Sequence, residues 1–166
     1  MTSNRETPEL KLYSNINAYL EERYVPLENA IQFAKMRVGS VPLFEECAVV
    51  IAEPDTYFSE HLFKLIDAQK LLDPDVYKKA GISRKLFSKI RSDRLYRPSK
   101  KTAISLAIAL ELDLNETNQL LEKAGYILSH SSRFDLIIEY FIVNQVFNIW
   151  EINEALYYYE EPLLQE

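Results

Sequence analysis

The side chains best suited to binding chemistry lie between residues 83 and 101, where ammonium, guanidinium and hydroxyl groups are concentrated. Residues 71 to 101 carry ten Lys or Arg against three Asp, a balance of +7, although the 166-residue chain has a net charge of −6. The remainder therefore carries −13. A basic segment on an acidic protein attracts a polyanion to one face and repels it elsewhere. The alternative interpretation is an ordinary solvated, charged surface.

Two short helices joined at Gly81 must position these side chains. Asp73 is the predicted N-cap of the first helix, and Ser83 is the predicted N-cap of the second. Gly81 supplies the left-handed backbone conformation that ends a helix. Helical spacing then divides the second helix into an apolar side of Leu86, Phe87 and Ile90 and a polar side of Arg84, Lys85, Ser88 and Lys89. This is the pattern of a helix-turn-helix.

The motifs around this pair follow a defined order. The AGIS turn (Ala80 to Ser83) leads to the Phe87-x-x-Ile90 pair, then to Arg97-Pro98-Ser99 before a helix, and then to AISLAIALEL and LNETNQLL. The preceding TYFSEHLFKLIDAQKLL has the apolar spacing of one more helix. In this order, residues 56 to 126 resemble the Cro and phage-repressor type, lambda-repressor-like (XRE) helix-turn-helix family. The resemblance implies an all-α, five-helix DNA-binding domain whose second motif helix enters the major groove of duplex DNA.

This resemblance gives the basic segment two groups of expected DNA contacts. Base edges and nearby phosphates would be contacted by the polar side of the second motif helix, namely Ser83, Arg84, Lys85, Ser88 and Lys89. Arg and Lys suit guanine O6 and N7, and serine hydroxyls can contact bases or phosphates. The DNA backbone would be held by Arg91, Arg94, Arg97, Lys100 and Lys101. The predicted function is sequence-specific duplex DNA binding by a bacterial or phage-type transcriptional regulator.

A second interpretation keeps the repressor-like fold without operator recognition. Asp73 and Asp75 occupy the helix end that in the family lies near a phosphate, and Tyr77 stands where the family usually has a small residue. The chain outside the motif is also acidic. These features favour an adaptor whose basic face meets an acidic protein partner or RNA.

The chain is predicted to have three parts. Residues 1-55 would form a short helix, starting at the cap Ser14 and ending near Tyr24, and an extended connector or arm. Residues 56-128 would form the repressor-like domain, and residues 129-166 two additional helices docked on it. The apolar run 48 to 52 would dock on the chain's own core, or residues 14 to 55 would form a partner-binding or dimerising arm.

The C-terminal region has an acidic and aromatic character. Residues 131 to 166 carry one basic residue against seven acids. Asn148, in a capping box with Glu151, is the predicted cap of the last helix, and Asn115 is the predicted cap of the helix that closes the repressor-like domain. Three residues are more apolar than a free surface needs and would either dock on the main domain or form a subunit contact: Trp150, Tyr157 and Tyr158. Repressor-like units usually pair on two half-sites, so a homodimer surface is expected outside the motif, and of its two candidates, the arm of residues 14 to 55 and this last helix, we favour the helix.

No pattern points to catalysis, a cofactor or a metal site. The chain has three glycines, two histidines and the single cysteine Cys47, without a phosphate-binding loop, a nucleophile elbow or zinc-ligand spacing. The lone cysteine excludes an intramolecular disulfide, and the N-terminus lacks the hydrophobic region of a signal peptide. We therefore expect a cytoplasmic, non-enzymatic protein that does not enter a membrane.

Overall fold

A computed structural model of the chain describes residues 8–26, 28–29 and 57–164. In these ranges the chain is helical and has no strand, which confirms the predicted all-α fold class. The helices, in chain order, are α1 Pro8–Arg23, α2 Phe58–Ala68, α3 Asp73–Lys79, α4 Arg84–Ser92, α5 Lys100–Ala109, α6 Leu114–Lys123, α7 Arg133–Val143 and α8 Ile149–Tyr158. Within the same ranges, no helix is long and apolar enough to cross a membrane.

Side chains cap most of these helices, though not always at the predicted residue. Ser83 accepts from the backbone N–H of Leu86 at 3.1 Å, as predicted for α4. The prediction for α3 is wrong: Leu72 is the N-cap and Asp73 is the first helical residue. The carboxylate of Asp73 is bound by Arg91 instead of by the backbone.

Two later caps also differ from the sequence prediction. Asp113, not Asn115, caps α6, because its carboxylate and the side chain of Glu116 form a complete capping box. Asn148 caps α8 as predicted, but Glu151 accepts from the Asn148 side-chain amide at 2.8 Å. That helix start therefore lacks the predicted backbone half of the capping box.

The core is a single cluster to which all eight described helices contribute buried apolar side chains. Helix α5 lies at its centre, and every residue from Ala103 to Ala109 is at most 2% exposed. Its small side chains let α3 and α6 pack closely against it. Helix α2 packs on α4 and α6. Helix α5 is therefore the buried centre of the helical cluster.

Helix α1 packs lengthwise on α7 and belongs to the core, since Ile16 is fully buried. It begins at Pro8 and not at the predicted Ser14, because proline is well accommodated in the first helical turn and the contact with α7 supports the added residues. The part of the predicted arm that forms α1 therefore packs against α7 of the same chain. The apolar run 48 to 52 lies outside the described residues.

Hydrogen bonds fasten α1 to α7 around the buried carboxylate of Glu139. The hydroxyl of Tyr19 donates to Glu139 Oε1 at 2.7 Å, and Arg23 donates to the same oxygen at 3.2 Å. His130 Nε2 lies 3.0 Å from Oε2. Burial and the bond to Glu139 raise the pKa of Tyr19 well above its usual range. This carboxylate therefore holds the N-terminal helix to the C-terminal half of the chain.

Candidate nucleic-acid interface

The helix pair α3–α4 has the predicted tight turn at Gly81. Gly81 has a φ of +63°, in the left-handed region that favours glycine. The N–H of Ile82 donates to the carbonyl of Tyr77 at 3.0 Å, which closes the end of α3. Phe87 and Ile90, 3% and 0% exposed, anchor α4 in the core. The opposite face of α4 is consequently held in a fixed position and turned to solvent.

Tyr77 is accommodated at the edge of the α3–α4 junction. Its side chain is half-buried, and its ring centroid lies 5.7 Å from that of Phe87. Phe63 of α2 meets the same Phe87 ring edge-on at 5.6 Å. The small residue that lets the helices approach is Ala80, which is fully buried one turn later. A tyrosine at this position therefore extends the aromatic packing of the motif.

The five residues predicted to contact bases all lie at the exposed face or start of α4: Ser83, Arg84, Lys85, Ser88 and Lys89. Arg84 and Lys85 form no ion pair with any carboxylate in the described part of the chain. The ammonium of Lys89 lies 4.9 Å from the centroid of the Tyr96 ring. The structure thus brings the predicted base-contacting residues together on one solvent-facing surface.

Two of the five predicted phosphate contacts are engaged by side chains of α2 and α3. Arg91 Nη2 lies 2.5 Å from Asp73 Oδ1, and its guanidinium covers the ring of Phe63 at 4.0 Å. Arg94 Nε lies 2.5 Å from the Glu60 carboxylate. These two arginines therefore brace α4 and the loop after it against the rest of the helical unit.

The other three predicted phosphate contacts, at the start of α5, differ among themselves. Lys100 Nζ is 2.6 Å from the buried carboxylate of Asp135 on α7 and is thereby drawn into the molecule. Arg97 and Lys101 have no ion-pair partner among the described residues. Within the described ranges, five basic side chains on or beside this surface consequently have no carboxylate partner: Arg84, Lys85, Lys89, Arg97 and Lys101.

An exposed leucine next to this surface was not singled out by the sequence pattern. Leu95 is 67% exposed at the tip of the turn after α4. The side chain and the carbonyl of Asp93 accept from the N–H groups of Leu95 and Tyr96, both at 3.0 Å, and hold the turn. An apolar residue between Arg94 and Arg97 in a basic loop was the available signal in the sequence.

The three C-terminal aromatic residues do not dock on the main domain. Trp150, Tyr157 and Tyr158 are 77%, 77% and 57% exposed, whereas Ile152 and Leu156 on the other side of α8 are fully buried. Docking is therefore achieved by the aliphatic side of α8. The aromatic side is exposed in the described structure, where Tyr158 also stacks on Tyr13 of α1.

No group of three or more metal-ligating side chains is found in the described ranges. No protein-family model matches this chain, and neither a curated protein nor a solved structure matches it.

Proposed function

We propose that this chain is a lambda-repressor-like, sequence-specific DNA-binding protein acting in the cytoplasm as a transcriptional regulator. The observation that carries the proposal is the exposed basic face of α4, which combines free cations with an anchored backbone. In this role α4 enters the major groove, where Arg84 and Lys85 donate to guanine O6 and N7. The role requires binding alone and no catalysis.

The ion pairs support a division of labour among the basic residues. Arg97 and Lys101 have no ion pair among the described residues and are available to phosphates, while the ion pairs of Arg91 and Arg94 support α4 and the loop after it. The Arg91 pair also neutralises Asp73, so that this carboxylate adds little repulsion toward a phosphate near the start of α3. Only Asp75 then remains as an unpaired acid at that helix end within the described ranges.

Fluorescence anisotropy against a duplex DNA at two salt concentrations tests the electrostatic part of the proposal. Five free cations give a limiting log–log salt slope of about −4.5 if each neutralises one phosphate, at about −0.9 per contact. Ten basic residues acting together would give about twice that slope. A flat salt response, or no binding at about 50 mM salt, rejects the nucleic-acid proposal.

Base reading is tested separately, on a preferred duplex selected from a random pool. Arg84→Ala and Lys85→Ala each reduce the preference for that duplex by about 1–3 kcal/mol. Arg97→Ala and Lys101→Ala weaken selected and random duplexes alike. Lys64→Ala, on the exposed side of α2, is the matched control and has little effect. Equal losses on both duplexes for all four variants would mean that α4 reads no sequence.

A protein-interaction or RNA-binding adaptor is the second candidate. Arg91, Arg94 and Lys100 form ion pairs with carboxylates of this chain. Fewer basic side chains are therefore available to bind a DNA backbone, which favours this candidate. An adaptor binds duplex RNA or an acidic polypeptide more tightly than any duplex DNA at equal salt. Competition of these two ligands against labelled DNA separates the candidates.

A further inference from the structure

Helix α8 presents an exposed aromatic face. Trp150, Glu154 and Tyr157 follow one another at four- and three-residue spacing and therefore lie on one side of the helix. Tyr158 lies beside them, and all four side chains are exposed. We call these four residues the aromatic face of α8. Because the opposite side of α8 is buried in the core, this face has a rigid support.

An open groove of about 770 Å³ continues the aromatic face toward the C-terminal end of α8. Its walls contain Tyr13, Glu154, Tyr157, Tyr158, Glu160, Glu161 and Leu163. Tyr13 of α1 stacks on Tyr158, with ring centroids 4.1 Å apart and planes 19° from parallel. This stack joins α1 and α8 into one wall, so the groove is formed by both ends of the described chain.

The groove has a strongly negative character. Glu161 lies 3.8 Å from Arg133, but Glu154 and Glu160 have no ion pair with any described cation. Burial raises the pKa of Tyr13, and the negative charges of Glu154 and Glu9 raise it further. Carboxylates and exposed aromatic faces are the two groups that attract ammonium and guanidinium ions most directly.

We propose that the aromatic face of α8 and its groove bind a lysine- or arginine-rich segment of a partner polypeptide. Basic side chains lie over Trp150 and Tyr157, while Glu154 and Glu160 pair with their charges. This interaction uses none of the α4 residues assigned to DNA, although Trp150 lines a cavity with Lys78, Lys79 and Gly81 at the α3–α4 turn. A nucleic acid is an unsuitable occupant, because residues 131 to 166 carry seven acids and a single arginine.

A second copy of the chain fits this face poorly. Two-fold pairing of α8 with itself would set Trp150 of one copy near Tyr157 of the other. Glu154, midway between them, would then meet its own counterpart across the axis. Like charges facing each other in an interface cost several kcal/mol. A partner of opposite charge avoids that repulsion and uses the same aromatic rings.

The sole tryptophan of the chain is Trp150, so intrinsic fluorescence reports directly on this face. The probes are a peptide of alternating Arg and Ala that lacks tryptophan, and a matched peptide of alternating Glu and Ala. We expect the arginine peptide to change the Trp150 emission saturably, and the glutamate peptide to leave it unchanged. No saturable change with the arginine peptide at about 50 mM salt overturns the proposal.

Variants are compared with a fluorescently labelled arginine peptide by anisotropy. Tyr157→Ala weakens binding about two- to fivefold, as expected for loss of one exposed cation–π contact. The Trp150→Ala/Tyr157→Ala double variant weakens it about four- to 25-fold. Glu154→Gln, which conserves volume, also weakens it. The controls are Glu122→Gln on α6 and Tyr24→Ala after α1, which bind as the unchanged protein does.

Two results would assign the face differently and overturn the proposal. Equal weakening by Glu122→Gln and Glu154→Gln would mean that the peptide is attracted only by the overall negative charge. A dimer in light scattering that Tyr157→Ala converts to monomer would identify a second copy as the occupant. Circular dichroism of each variant verifies its helix content, and Glu154→Gln keeps the test decisive if an aromatic substitution disturbs the fold.

Discussion

Lys100→Ala separates a structural role of this lysine from the DNA-backbone role predicted for it. Lys100 Nζ lies 2.6 Å from Asp135 Oδ2, and the Ser129 N–H donates to the same oxygen at 2.9 Å. Asp135 is 2% exposed, and its other oxygen has no hydrogen-bond partner among the described residues. Removal of the lysine therefore leaves a buried carboxylate with one donor.

The size of the effect follows from this geometry. Removal of one partner of a buried ion pair costs about 3–5 kcal/mol. The Lys100 side chain is 29% exposed, so water can partly solvate the carboxylate, and we expect a loss of about 3 kcal/mol in the free energy of unfolding. The Lys100→Ala/Asp135→Asn double variant recovers at least about 1 kcal/mol, because the buried charge is gone.

Urea unfolding followed by circular dichroism measures these differences, with Lys101→Ala as the matched control. Lys101 has no ion pair among the described residues, and its substitution changes stability by at most about 0.5 kcal/mol. In DNA titrations of the folded variants, Lys101→Ala has the larger effect. It reduces the magnitude of the log–log salt slope by about 0.9, whereas Lys100→Ala leaves the slope unchanged. An unaltered urea midpoint for Lys100→Ala would refute the structural role.

Three further perturbations test the turn, the α1 contact and a half-buried histidine. Gly81→Ala forces an L side chain to φ +63° and lowers stability by about 1 kcal/mol in thermal unfolding, and an unchanged melting temperature would contradict this. Tyr19→Phe removes the 2.7 Å bond to buried Glu139 and costs about 1.5–3 kcal/mol, measured by the urea midpoint. Burial, with Lys123 nearby, lowers the pKa of His61 from 6.5. The unfolded chain then binds more protons, so stability falls as pH drops through 6.5, and His61→Gln should flatten that fall between pH 7 and pH 5.

Much of the helical framework could be predicted from the sequence because helix ends depend on local chemistry. The Gly81 turn and the Ser83 cap both follow from residues within one helical turn. Apolar spacing likewise identified the anchors Phe87 and Ile90. The predicted caps at Asp73 and Asn115 were wrong for two different reasons. The Asp73 carboxylate binds Arg91, which is 18 positions away. Asp113 caps α6 in place of Asn115, because it forms a complete capping box with Glu116.

The candidate site was only partly predictable. The type and spacing of side chains were sufficient to identify the exposed basic face of α4, since an amphipathic helix turns its polar side to solvent. They were insufficient to separate free cations from bracing ones. Arg91 and Lys101 are both basic residues of the same segment, and the sequence does not distinguish their roles. In the structure, Arg91 is bound to a carboxylate of α3, whereas Lys101 has no ion pair in the described ranges.

What the sequence alone determined is therefore the set of features encoded within one or two helical turns: the all-α class, most helix positions and the polar side of α4. The tertiary structure alone decided which charges are neutralised, that α1 packs on α7, and that the aromatic face of α8 is exposed within the described ranges. These depend on residues far apart along the chain, such as Lys100 with Asp135 and Tyr19 with Glu139, separated by 35 and 120 positions. Local periodicity reports which side of a helix is buried, but an ion pair or a docking contact requires knowing which helices meet.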